Sequence, residues 1–324
     1  MIKKYKIKNN DDVYNYVKDA ISRSSFTKII STTPLIGDEK NKALILEILK
    51  DEIYLYLMFS TSYIYITAFT KYDATKSIKD QEGLATIERK VGGYVQFDLR
   101  SDINWDLICI ETSKTFVIAS YDPASYGRNT YTIFWGLPTR YITNGETTND
   151  FYFGEDKNKF TACMRSNVDK DLSWLYGENT KHNMITTLDS ILPAQNGAVV
   201  PTYGVETVPP SSKYGRGKFS SALNCSSAIM PLIFYVCRAP RSLKTYSAMC
   251  YDEVINFIDM YNISTGKIIK QDFPYKAGNY ICFNPVRRKR YMGIAVKLSE
   301  NDMKNIINGE LEYNTLEEWY KWLM

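Results

Sequence analysis

Ile53 to Thr70 reads IYLYLMFSTSYIYITAFT, two aromatic and β-branched runs on either side of Ser60-Thr61-Ser62. Residues of these types fit a pleated surface, and a short polar break between two such runs marks a hairpin. The hairpin decides the fold class because its pattern recurs along the chain. Leu107 to Glu111 and Thr115 to Ser120 flank Thr112-Ser113-Lys114 as a second one. Phe26 to Thr33 (ended by Pro34), Val91 to Leu99, Thr130 to Trp135, Lys159 to Met164 and Gly266 to Gln271 add single strands. Gly92 and Gly93 suggest a bulge in one of them.

A third hairpin lies in KAGNYICFNPVRRKRYMGIAVKL, from Lys276 to Leu298. Tyr280 to Phe283 and Tyr291 to Leu298 flank Asn284-Pro285 and an unbroken basic run, Arg287, Arg288, Lys289 and Arg290. The run is the densest charge feature of the chain. Cations at a strand tip guard sheet edges against aggregation, and they also suit an acidic protein surface or, less well, nucleic-acid phosphate.

Helical signals are fewer. Asn10 or Asp11 caps a helix running to about Arg23, with Val13, Val17, Ala20 and Ile21 on one face. Two short helices close the chain. Ser299 caps the first, with Asp302 three residues on and Met303, Ile306 and Ile307 facing inward before Gly309. Thr315 and Glu318 form a capping box for the second, which buries Leu316, Trp319, Tyr320 and Leu323. Lys40 to Lys50, Ala228 to Cys237 and Cys250 to Tyr261 fit either a helix or a strand. Lys71 to Lys90 reads as a loop or short helix. The expected class is α+β, mostly antiparallel β-sheet with an N-terminal helix and two short C-terminal helices.

Between Asp189 and Ser220 the texture changes, with Pro193, Pro201, Pro209 and Pro210 among Gly197, Gly204, Gly215 and Gly217. A structureless stretch of that length is uncommon inside a compact domain. Val199, Val200, Tyr203, Val205 and Val208 make it less polar than a free linker, so it reads as an arm or connector that packs on something. The expected division is a sheet-rich domain over 1–188, the arm over 189–220 and a C-terminal β unit with its helices over 221–324. The arm's contact residues would be Val199, Val200, Tyr203, Arg216 and Lys218.

Composition narrows the functions. A hydrophobic share of 44% and a charged share of 23% describe a folded globular chain. A net charge of +4 is too mild for a protein that coats nucleic acid and leaves room for a local basic patch. The six cysteines show no CxxC pair, and Cys109, Cys237 and Cys282 sit in apolar runs as buried free thiols. No apolar segment follows the N-terminal lysines, and no run is long enough to span a bilayer, so neither a signal peptide nor a membrane span is expected.

Catalytic sets are hard to assemble from these residues. His182 is the only histidine, which leaves no His triad and no multi-His metal site. Tyr214-Gly215-Arg216-Gly217-Lys218 lacks the flanking strand and helix of a phosphate loop. Asp11-Asp12, Glu310, Glu312 and Glu317-Glu318 sit at helix starts or the chain end, where negative charge favours the helix dipole. No catalytic residue, metal or cofactor is assigned from this reading.

Two resemblances add to it. The segments DVYNYVKDAIS, TTPLI, ALILEIL and STSYIYITAF resemble the opening of ribosome-inactivating proteins of the ricin A-chain and Shiga toxin type, and SAIMPLIFYVCRAP resembles that fold's late core helix. The resemblance implies an rRNA N-glycosidase in which Tyr65 stacks on the target base. The family's catalytic Glu-Ala-x-x-Arg or Glu-Ala-x-Arg helix is missing, because no arginine here has a glutamate three or four residues before it. By its Tyr, Asn and Lys richness, its short strands and its Pro/Gly arm, the chain also resembles virion components of tailed bacteriophages. That resemblance implies a structural or assembly protein of the tail, neck or baseplate type, made in the host cytoplasm and located in the virion. Its partners would be other virion proteins or copies of itself, met by the arm and by Arg287, Arg288, Lys289 and Arg290. A nucleic-acid binder using the same basic hairpin is the remaining alternative.

Overall fold

A computed structural model of the chain describes residues 1–49, 53–84, 86–87, 90–91, 95–99, 104–121, 132–137, 139–142, 151–156, 160–165, 173–176, 199–202, 227–237, 246–259, 267–271, 277–283, 293–307 and 314–315. In chain order the strands begin with Ile2–Ile7 (β1), Lys28–Ser31 (β2), Lys42–Leu49 (β3), Ile53–Phe59 (β4) and Tyr63–Phe69 (β5). Next come Thr86–Ile87 (β6), Lys90–Val91 (β7), Val95–Asp98 (β8), Trp105–Glu111 (β9), Thr115–Tyr121 (β10) and Thr132–Gly136 (β11). Thr139–Ile142 (β12), Phe151–Asp156 (β13), Phe160–Arg165 (β14), Ser173–Tyr176 (β15) and Val199–Thr202 (β16) follow. The last are Ser227–Cys237 (β17), Tyr246–Asp259 (β18), Lys267–Gln271 (β19), Gly278–Phe283 (β20), Gly293–Lys297 (β21) and Asn314–Thr315 (β22). Helices occupy Val13–Ser22 (α1) and Glu300–Ile307 (α2). The chain is mostly antiparallel sheet with a few helices, as its sequence leads one to expect.

These strands form three sheets. Nine run in the order β1-β9-β10-β11-β13-β14-β15-β6-β7, and five in the order β2-β3-β4-β5-β8. The third sheet follows β16-β17-β18-β21-β20-β19-β22, with β12 also on β18. It therefore takes a strand from Thr139–Ile142, one from the Pro/Gly stretch and the rest from the C-terminal part. Described pairings between these strands are antiparallel except β15 with β6 and β19 with β22.

The first two hairpins form where the sequence puts them, through the same turn chemistry. Ser60 Oγ accepts from the Tyr63 N–H at 2.9 Å, and the Ser60 N–H donates to the Tyr63 carbonyl at 2.8 Å. Thr112 repeats this, accepting from the Thr115 N–H at 2.9 Å and donating its own N–H to the Thr115 carbonyl at 2.8 Å. A hydroxyl side chain at the first turn position thus satisfies the donor that the tight loop would otherwise leave unpaired.

Helix α1 packs between the five-stranded and nine-stranded sheets. Val13, Val17, Ala20 and Ile21 are all fully buried, joined by Leu44, Leu55, Leu57, Ile64 and Ile66 from one sheet and Trp105, Leu107, Phe116 and Trp135 from the other. Trp135 stacks on Phe116 at 4.7 Å and donates Nε1–H to Thr27 Oγ1 at 3.2 Å, whereas the equally buried Trp105 Nε1 has no hydrogen-bond partner. The opposite face of the nine-stranded sheet is buried too, at Ile2, Ile108, Ile110, Val117, Ala119 and Phe134. Burial on both faces explains why the middle of β9, Leu107 to Ile110, reads as a continuous apolar run rather than an alternation.

The structure decides the open choices and changes some expectations. Lys42–Leu49, Ser227–Cys237 and Tyr246–Asp259 are strands, each with a long antiparallel partner, where the sequence fits either a helix or a strand. SAIMPLIFYVC is accordingly a strand where the toxin resemblance implies a helix. Asn9, rather than Asn10 or Asp11, is the cap: its side-chain oxygen accepts from the Asp11 N–H at 3.1 Å and opens a turn of 3₁₀ helix at Asn10–Asp12. Ile307 is 73% exposed instead of inward, since α2 buries only Asp302 and Ile306. Thr315 ends β22, and the second C-terminal helix expected beyond it lies outside the described residues, as do Gly92 and Gly93.

Candidate functional site

The hairpin predicted around the basic run is present. β20 and β21 pair antiparallel, Tyr280 with Lys297, Ile281 with Val296, Cys282 with Ala295 and Phe283 with Ile294. Tyr280, Ile281, Cys282, Phe283, Ala295 and Val296 are wholly buried, so the stem is fixed in the interior of its sheet. Gly278 holds φ at +148°, and a Cβ there would come within 2.8 Å of the Lys297 side chain, which crosses directly over it. The sequence joining the two strands, 284–292, carries Arg287, Arg288, Lys289 and Arg290, and all four lie outside the described residues.

The base of this hairpin meets the chain start and the β9–β10 turn in a cleft of about 330 Å³, lined by Met1, Ser25, Glu111, Thr112, Lys297 and Ser299 among others. Glu111 ends β9 and is buried. One carboxylate oxygen accepts from Ser24 Oγ at 3.0 Å, the Ser25 N–H at 2.6 Å and Ser25 Oγ at 2.8 Å. The Met1 amino group donates to the Glu111 carbonyl at 2.7 Å and stands 3.4 Å from Asp302 Oδ2. Ser299 Oγ donates to the Asp302 carboxylate at 2.5 Å and accepts from the Asp302 N–H at 3.1 Å, which closes the first turn of α2. These buried carboxylates are thus occupied by internal donors, and the arrangement ties α2 and β21 to the edge of the nine-stranded sheet.

Other polar clusters are likewise committed to the fold. Asp106 is buried in β9 and pairs with Lys4 of β1 at 3.3 Å. Tyr5 donates to Asp19 at 2.9 Å and stacks on Tyr16 at 4.7 Å, and burial pushes its phenol well above the ordinary value. Asp19 is held below the usual carboxylate range by its hydrogen bonds from Arg23 and then Tyr5. Burial pushes the Cys109 thiol strongly up, so Cys109 is an inert core residue. Among the described residues no group of three or more His, Cys, Asp or Glu is placed to hold a metal, and no helix is long and apolar enough to cross a membrane.

The other residues singled out in the sequence are dispersed. Tyr65 lies on β5 opposite Met58 and Gln96, half-buried, with its ring 5.5 Å from Tyr63. Val199 and Val200 lie in β16, on the edge of the C-terminal sheet, opposite Val236 and Tyr235. Tyr203, Arg216, Lys218, His182, Glu310, Glu312, Glu317 and Glu318 lie outside the described residues. Glu111 and Asp302 were not singled out as site residues. A capping pattern, Ser299 followed by Asp302, pointed to one of them, while nothing local distinguishes Glu111 from any acid at a strand end. No family model matches the chain, and no curated protein matches its sequence.

Proposed function

We propose that this chain is a structural or assembly component of a viral particle, of the tail, neck or baseplate kind, and that it works by protein–protein contact. The reading is supported chiefly by the β20–β21 hairpin, whose buried stem anchors both ends of a nine-residue connection carrying four consecutive cations. Adjacent cations repel one another, and an acidic protein surface relieves that repulsion. Anchoring at both ends limits the conformational freedom lost on contact, so less of the interaction is spent on ordering. The partner is another virion protein or a second copy of the chain.

The test is a quadruple variant, Arg287→Gln, Arg288→Gln, Lys289→Gln and Arg290→Gln, followed by sedimentation of particles assembled with it. Incorporation should fall at least tenfold with the thermal midpoint of the free chain unchanged. Undiminished incorporation overturns the proposal. Binding to nucleic acid that weakens steeply with salt, and is lost in the variant, overturns it in favour of phosphate recognition.

A further inference from the structure

We propose that the cleft between the chain start, the β9–β10 turn and the base of β21 binds a small zwitterion, an α-amino acid, with its ammonium group on Glu111 and its carboxylate on Lys297. Such a site does not depend on the chain's place in a particle. Glu111 is 7% exposed, and its three internal donors, Ser24 Oγ, the Ser25 N–H and Ser25 Oγ, all reach Oε1. Its other oxygen, Oε2, takes no hydrogen bond among the described residues. A carboxylate oxygen sealed in the interior without a donor is strongly unfavourable. Among the described residues, the enclosed side-chain polar atoms that lack a partner are Trp105 Nε1 and Thr132 Oγ1, so Glu111 Oε2 is not sealed in. The open space beside Glu111 is the cleft that it lines.

Lys297 is the cation of the same cleft. It ends β21, and its side chain lies over Gly278, whose missing Cβ leaves the room: a Cβ there would stand 2.8 Å from Cε and 3.6 Å from Nζ. Among the described residues no ion pair engages its ammonium. The neighbouring polar groups are already committed. The Met1 amino group faces Asp302 at 3.4 Å, the Ser299 hydroxyl donates to Asp302, and the Thr112 hydroxyl donates to the Thr115 carbonyl at 3.2 Å. One uncommitted anion and one uncommitted cation therefore share the cleft. A simple cation meets Lys297 as a like charge, and a simple anion meets Glu111 the same way, whereas a zwitterion satisfies both. The lining carries no aromatic ring for a sugar to stack on, and its apolar residues, Met1 and Leu298, suit a short aliphatic substituent. The volume of about 330 Å³ lies at the small end of the range for ligand pockets, about 300–1,000 Å³.

Calorimetric titration of the full chain tests the site with three probes of one shape: L-valine, isobutylamine, which lacks its carboxylate, and isovalerate, which lacks its ammonium. L-valine should bind saturably, and each singly charged probe should bind at least about tenfold more weakly. Lys297→Met should weaken L-valine by about tenfold and leave isobutylamine no weaker than before, because a like charge has gone. Glu111→Gln should weaken L-valine in the same way and leave isovalerate no weaker. Thermal midpoints report whether the variants fold. If Glu111→Gln does not, since Glu111 also holds Ser24 and Ser25, Lys297→Met decides alone. The site is overturned by no saturable binding of L-valine, by equal binding of either singly charged probe, or by an unchanged L-valine affinity in Lys297→Met.

Discussion

The two faces of the five-stranded sheet bury their side chains by different means. The face toward α1 and the nine-stranded sheet is aliphatic, with Leu44, Leu46, Leu55, Leu57, Ile64 and Ile66 all fully buried. The opposite face carries Ala43, Ile45, Tyr54, Tyr56 and Phe69 and is covered by loop residues such as Leu35 and Leu84. A sheet meets a sheet with side chains alone, because its backbone groups are already paired along the ladder. Loops bring backbone donors and acceptors that need partners, and the tyrosines supply some of them. The Leu35 N–H donates to the Tyr56 hydroxyl at 3.4 Å, and that hydroxyl donates to Asp38 at 3.1 Å. In the second loop, buried Gln81 binds the Asp73 backbone twice, donating to its carbonyl at 2.8 Å and accepting from its N–H at 2.9 Å. One face is held by area, the other by area plus a few tethers.

That contrast is easiest to break from the aliphatic side. Leu57→Ala should lower the unfolding free energy by about 2–5 kcal/mol, through lost transfer energy and the cavity left between the sheets. Urea denaturation measures it, and a loss under about 1 kcal/mol would show that the inner face is not a packed core.

Tyr56→Phe tests the tethers, keeping the ring and removing the hydroxyl. The expected loss is about 0.5–1.5 kcal/mol, accompanied by faster proteolysis between Leu35 and Asn41. The same residue gives the contrast a pH signature. Burial, followed by the charge of Asp38, pushes the Tyr56 phenol well above its ordinary value. A raised folded value stabilises the protonated form, so this contribution is fully present below the unfolded value of about 10 and is lost as pH rises through the folded one. Stability of the wild type should fall above about pH 10, and Tyr56→Phe should shallow that fall. An identical alkaline profile in the variant would show that another group is responsible.

The smallest effect belongs where the tyrosine face runs out from under its loops. Tyr63 and Tyr65 are half-buried neighbours on one face of β5, and Tyr63→Ala should cost about 0.2–1 kcal/mol, the value of a side-chain pair on a sheet face. A loss as large as that at Leu57 would place Tyr63 in the core and erase the distinction.

Strand content and much of its placement were legible in the sequence because β-branched and aromatic runs broken by hydroxyl-rich turns have few other stable arrangements. The pattern IYLYLMF even shows the two faces as alternating Leu and Tyr, although it does not say which covering each face receives. Helix–strand ambiguity at Lys40–Lys50, Ala228–Cys237 and Cys250–Tyr261 persisted because short apolar runs satisfy either period until a partner strand fixes them. Ile307 misled for a related reason: helical spacing names a face, while exposure depends on what packs there.

What the sequence by itself determined is therefore local: the hairpins with their turn chemistry, the apolar stripe of α1 and the Ser299 cap, each set by side chains within a few residues of one another. Tertiary structure alone decided the burial of Glu111 against Ser24 and Ser25, the approach of Asp302 to Met1, and the placing of Val199–Thr202 on the edge of a sheet built mainly from the C-terminal part. Those contacts join residues tens to hundreds of positions apart, where no local propensity acts and only the geometry of packed sheets chooses the partner.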